Sequence, residues 1–240
     1  MNFLLHFELA WRERQAASTA LGAMLPDLWR MAARPARAKR DVRAPDASSP
    51  ELARVLEGIA HHLEADTWFH REAEFTEGEE VAARALGETG IARMRLFGHV
   101  AWEMCLDGAL IRSDPHLEAR VRDACSHEPT RAAATAAARL HHHAYFATTP
   151  EAEGLFHARM QRLLAAVASF ELPGGYADAH GVCVRLEGLR AAFGLGRLDP
   201  GESARVTRAL AALEPLADSA TRRLLERREG GRSADHQPHF

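Results

Sequence analysis

The sequence predicts an all-α protein, and three observations carry that expectation. Apolar residues recur at helical spacing along most of the 240 residues. Runs of β-branched residues and strict apolar–polar alternation, the marks of strands, are scarce. The periodic stretches are separated by short proline and glycine clusters, such as Pro173-Gly174-Gly175. The expected architecture is a compact helical bundle with short loops and no substantial sheet. A single helical domain is expected over residues 1–228, followed by a disordered tail over 229–240.

The elements follow in chain order. An apolar segment from Phe3 to Leu21 leads into Leu21–Trp29. Residues 33–50 read as a loop, by their prolines and small polar residues. Ser49-Pro50-Glu51 then reads as a helix start, because Ser can cap and Pro fits the first turn. The helix that follows carries Leu52, Val55, Leu56, Ile59 and Leu63, and is read as continuing through His70. Gly87–Gly90 breaks the chain before a helix over 91–111, and Asp114-Pro115 marks a turn. An alanine-rich helix is expected over 129–146, and Pro150 precedes an amphipathic one. Beyond the Pro173 break, two more helices are expected over 178–193 and 201–227.

Composition narrows the function. A formal charge of −3 argues against a nucleic-acid binder. No stretch approaches the roughly 20 apolar residues of a membrane span, and the start lacks the basic region and long apolar run of a signal peptide. Three widely spaced cysteines form no CxxC pair and read as small apolar core residues. A cytoplasmic location is therefore expected. Histidine is abundant, at 14 residues, with clusters at His61/His62/His70 and His141–His143.

Side chains four apart share one helix face. On that spacing His62, Asp66 and His70 form one row of candidate metal ligands, and His99, Glu103 and Asp107 form another. Mixed imidazole and carboxylate donors suit Mn²⁺, Fe²⁺ or Zn²⁺. Asp27 and His6, each set in an apolar segment, are further candidates. Taken singly, each has a plainer reading: His6 as a hydrogen-bonded core histidine, Asp27 as a helix cap, His70 and Asp107 as surface polar residues. The concurrence of two histidine–carboxylate rows beside Trp68 and Trp102 favours a shared metal site. The triplet His141–His143 points in three directions on a helix and reads as a solvated patch.

These residues resemble a known family. Met1-Asn2-Phe3-Leu4-Leu5-His6, Gly22-Ala23-Met24-Leu25-Pro26-Asp27-Leu28, the block from Gly58 to His70, and His99-Val100-Ala101-Trp102-Glu103 are similar, in order and spacing over roughly residues 1–115, to motifs of the acyl carrier protein phosphodiesterases. That family is related to the HD-domain phosphohydrolases. The resemblance implies an HD-domain-like all-helical fold and hydrolysis of the phosphodiester that joins 4′-phosphopantetheine to a carrier-protein serine, with Mn²⁺ as the metal. It implies Asp27, His62 and Asp66 as metal ligands, with Glu103 in place of an aspartate, and His6 as a further site residue. His70 and His99 stand where the family has Asp, Met104 where a His is common, and Leu63 where an Arg follows the motif histidine. Two Asp-to-His changes lower the negative charge of the site and favour a softer ion such as Zn²⁺ or Fe²⁺.

The expected mechanism is metal-assisted phosphodiester hydrolysis. Asp27, His62, Asp66, His99 and Glu103 are the candidate ligands, and His6 or His70 the general acid or base. Six basic residues, Arg30, Arg34, Arg37, Lys39, Arg40 and Arg43, form a positive segment that suits docking of an acidic carrier protein. Two competing readings remain: a helical metal-binding or interaction protein that lacks this catalysis, favoured by Ala60, Leu63 and Met104, and a hydrolase of a small phosphorylated metabolite.

Overall fold

A computed structural model describes residues 2–43, 45 and 49–235, without the side chains of residues 150 and 231–235. Among the described residues every regular element is helical, so the all-α expectation holds. The helices are α1 (Phe3–Arg14), α2 (Ala17–Ala32), α3 (Pro50–Phe69), α4 (Ala73–Glu88), α5 (Gly98–Ser113), α6 (Leu117–Ser126), α7 (Glu128–Thr148), α8 (Pro150–Ala168), the single turn α9 (Glu171–Gly174), α10 (Ala179–Ala192), α11 (Pro200–Ala211) and α12 (Glu214–Asp235). A 3₁₀ turn, Met94–Phe97, leads into α5. No described helix is long and apolar enough to cross a membrane.

Several boundaries differ from the sequence reading. The apolar segment from Phe3 to Leu21 is two helices, because Gln15 takes the left-handed conformation (φ 49°) that ends a helix. α6 occupies a stretch that the sequence reading left without an element. α3 stops at Phe69, one residue before His70, where Arg71 and Glu72 donate back to the carbonyls of Trp68 and Phe69 at 3.0 Å. Ser49 does cap α3, accepting from the Leu52 amide at 3.2 Å. α12 continues to Asp235, past residue 229 where the sequence suggested a tail; residues 236–240 lie outside the described residues.

The helices group into two compact units, each drawn from two stretches of chain. The first comprises residues 2–67 and 115–173, and the second residues 68–114 with the chain from 174 onward. In the first unit Phe3, Leu4, Leu5 and Phe7 of α1 and Leu21, Met24, Leu25, Leu28 and Trp29 of α2 are fully buried. Burial of side chains this large contributes about 1.5–3 kcal/mol each. Glu8 of α1, itself buried, meets Arg12 at 2.6 Å and Arg120 of α6 at 2.5 Å, so its charge is paired rather than stranded. α2 and α3 touch backbone to backbone. A Cβ at Gly58 would lie 2.0 Å from the Thr19 carbonyl oxygen, and one at Gly22 would lie 2.2 Å from that of Val55.

In the second unit α4, α5 and α12 pack around Trp102, which is fully buried against Gly78; a Cβ there would meet the indole at 2.1 Å. Glu74 of α4 pairs with Arg223 and Arg227 of α12 at 3.3 and 3.1 Å. Cys105 in this unit and Cys125 in the first are buried thiols, and burial pushes both up to about 12, so they act as the small apolar residues expected.

One expectation fails in the first unit. His141 and His142 are buried at 1 % and 3 % exposure, and only His143 is solvated. The inward face of α7 sets His141 and His142 against the Trp29 ring at 5.1 and 4.7 Å between centroids, and His142 also meets Phe146 and Phe156. His141 Nδ1 accepts from the Lys39 amide at 3.0 Å. Burial, aided by the charge of Lys39, pushes both histidines down to about 4. The folded state thus holds them neutral where the unfolded chain would protonate them. This contribution is complete above the ordinary histidine value near 6.5 and is lost as pH falls from there toward 4. At pH 5 the loss amounts to about 2 kcal/mol per histidine. Urea midpoints should therefore hold above pH 7 and drop between pH 6.5 and 4, and His142→Leu should make that drop shallower. An equally steep acid slope in the variant would exclude His142 as a source.

Candidate metal centre

The site in the first unit is built where α2 and α3 are closest. The Gly22/Gly58 contact lets the helices approach without side chains between them, and His62 lies one turn beyond Gly58 on α3. On α2, Pro26 has no N–H to offer the Gly22 carbonyl, which loosens the hydrogen-bond ladder beside Ala23. The Ala23 carbonyl accepts a hydrogen bond from His62 Nδ1 at 2.8 Å. A carbonyl can only accept, so Nδ1 carries the proton and the Nε2 lone pair is left available. A backbone oxygen that fixes the tautomer in this way is the usual support of a metal-ligating histidine.

The His6 ring of α1 lies against that of His62 at a tilt of 33°, with ring centroids 3.8 Å apart. His6, Asp27 and His62 each present one donor atom, and these three atoms lie within 4.8 Å of one another. Asp66, one turn beyond His62, reaches His6 Nε2 at 3.8 Å and keeps 41 % of its side chain exposed. Asp27 retains some surface, but its Oδ2 is buried and meets no hydrogen-bond donor among the described residues. A buried carboxylate oxygen is costly unless a cation lies near it, and the charged amino terminus already acts on Asp27 in that way.

The electrostatics agree with that geometry. Burial pushes His62 down to about 3 and the neighbouring His6 adds to the effect, while Asp27, Asp66 and the Ala23 carbonyl oppose it. His62 is therefore a neutral imidazole near pH 7, the form that ligates. For Asp27 burial works to raise the pKa, but the amino-terminal charge and the two histidines outweigh it and hold the group ionised. Two imidazoles and a carboxylate, with a second carboxylate alongside, are donors fit for Mn²⁺, Fe²⁺ or Zn²⁺.

The other sequence-predicted residues fall in the second unit. His70, His99 and Glu103 bring one donor atom each within 4.8 Å of one another. The expected row His62–Asp66–His70 is thus not a row: α3 ends before His70, whose ring turns onto Phe69 and Phe75 at 4.3 and 4.4 Å. His99 and Glu103 do share a face of α5, at 3.4 Å. Asp107, one turn on, is fully buried and belongs to neither ligand group. The sequence reading missed Glu79, whose carboxylate meets His99 Nδ1 at 3.2 Å. It also missed Glu13, which pairs with His61 at 3.3 Å and ties α1 to α3. Glu79 lies on α4, an element the sequence reading did not separate from its neighbours; Gly78 and Gly98 were the available signals of its approach to α5.

Compared with family models, curated proteins and solved structures, the chain finds no match.

Proposed function

We propose that this chain is a metal-dependent phosphoric diester hydrolase acting on holo-acyl carrier protein, as its resemblance to the acyl carrier protein phosphodiesterases implies. The reading rests on one observation above the others: the Ala23 carbonyl holds the proton on Nδ1 of His62, leaving Nε2 unprotonated, in a histidine with a donor atom within 4.8 Å of donors of His6 and Asp27. His6, Asp27 and His62 would hold the ion, with Asp66 beside them. A divalent ion held there supplies an acidified water and neutralises charge on the phosphoryl oxygens. Mn²⁺ follows from the resemblance, and the two-histidine donor set also suits Zn²⁺ or Fe²⁺. Asp66, part exposed and 3.8 Å from His6, is placed to accept a proton from the attacking water at the solvent side. The six basic residues Arg30, Arg34, Arg37, Lys39, Arg40 and Arg43 are all exposed, as docking of an acidic carrier protein requires.

The test is intact-mass measurement of holo-acyl carrier protein incubated with the purified chain and Mn²⁺, Zn²⁺ or Fe²⁺. Loss of the 4′-phosphopantetheine mass, abolished in Asp66→Asn, is the expected result. Unchanged mass with every ion overturns the carrier-protein assignment. Cleavage of a model phosphodiester alongside unchanged mass would leave a hydrolase of a smaller phosphorylated substrate. Metal uptake without any cleavage would leave a helical metal-binding protein.

A further inference from the structure

We infer that His70, His99 and Glu103 form a second cation site within the second unit, with Glu79 as the carboxylate that orients His99. Its ligands come from the α3–α4 turn and from one face of α5. His99 Nε2 and His70 Nε2 lie 3.4 and 3.9 Å from the same Glu103 oxygen, Oε1. Donors sharing a tetrahedral ion at bonds of about 2.0–2.1 Å stand roughly 3.3 Å apart. The observed spacing is therefore within a side-chain adjustment of ligation.

The second observation is on the far side of the ring. His99 Nδ1 faces Glu79 Oε2 at 3.2 Å. A carboxylate behind a histidine fixes its tautomer and raises its basicity, which is how ligating histidines are supported. The support depends on the close approach of α4 and α5: a Cβ at Gly98 would lie 2.5 Å from Ala83, and one at Gly78 would enter the Trp102 ring. Phe75 packs edge-on against both His70 and His99, at 4.4 and 5.4 Å between centroids, and holds the pair in place.

The chemistry of the cation follows from the donors and their exposure. Two imidazoles with one carboxylate select Zn²⁺ or another late transition ion over Mg²⁺ or Ca²⁺. Glu103 is nearly buried at 10 % exposure, whereas His70 and His99 keep 29 % and 46 %. The site is thus open to solvent on one side, leaves a coordination position for water or an anion, and exchanges its ion more readily than a closed structural site. Both histidines depart from the aspartates of the family pattern, so the site belongs to this chain's own sequence.

The experiment is a titration of the metal-free full-length chain with Co²⁺ and then Zn²⁺, read by Co²⁺ visible absorption and by bound metal per chain. Two equivalents are expected for the parent. His99→Ala and Glu103→Gln should each lose one equivalent and its absorption while keeping the other, and Glu79→Gln should weaken that same equivalent by about 10-fold or more. His62→Ala should lose only the other equivalent, so failure of this site and failure of the His62 site are separable. Unchanged stoichiometry and absorption in both His99→Ala and Glu103→Gln, with native circular dichroism, overturns the inference and leaves a histidine–glutamate ion pair. Phe75→Leu, which removes the ring packed on both histidines but supplies no ligand, should keep both equivalents, so that a loss in His99→Ala or Glu103→Gln reflects ligands rather than the packing around them.

Discussion

If the first unit binds a divalent ion as proposed, replacing His62 by alanine is expected to lower its affinity by more than 100-fold. Removing only the partner that orients a ligating histidine costs about 10- to 100-fold, and His62→Ala removes the ligand together with its orientation. Asp27→Asn should fall in the same range for a different reason. It keeps the shape of the side chain but removes the charge that faces two imidazoles from a buried oxygen. Chelator competition on the two variants measures both effects. Parent-like affinity in either protein, with native circular dichroism, would remove that residue from the site.

Gly58→Ala is expected to destabilise the fold by about 3 kcal/mol and to weaken metal binding at the same time. Alanine ordinarily improves on glycine inside a helix by up to about 1 kcal/mol. Here the added Cβ would lie 2.0 Å from the Thr19 carbonyl oxygen and 2.9 Å from Gly22 Cα, so α2 and α3 must move apart. Separation lengthens the bond from His62 Nδ1 to the Ala23 carbonyl and releases the tautomer. Gly188→Ala in α10 is the matched control, because nothing lies within 4 Å of a Cβ there. Its urea midpoint should rise while that of Gly58→Ala falls. If both rise, the two backbones have room to spare and the contact does not set the site.

Much of this was legible in the sequence, for identifiable physical reasons. Helical periodicity reports directly on burial, so the all-α class and the cap at Ser49 followed from local pattern. The spacing of His62 with Asp66 and of His99 with Glu103 placed each pair correctly on one helix face. What failed depended on neighbours distant in sequence. The end of α3 at Phe69 is set by a turn without glycine or proline, so His70 was assigned to the wrong ligand row. The inward turn of His141 and His142 follows from the packing of α7 on Trp29, which no local pattern reports. The division of the candidate ligands between two units was equally hidden, since each unit is assembled from stretches far apart in the chain.

The contact of Gly22 with Gly58 also bears on transplanting this site to another scaffold. Two helices separated by side chains can be regrafted with approximate spacing, because rotamers absorb the error. Two helices that meet main chain to main chain have no such slack. Copying His6, Asp27, His62 and Asp66 onto a foreign bundle at ordinary interhelical distances of 8–10 Å would reproduce the ligand names but not the Ala23 acceptor. The smallest portable module is therefore the pair of segments 19–27 and 55–66 taken together, docked as they stand, with His6 supplied afterwards.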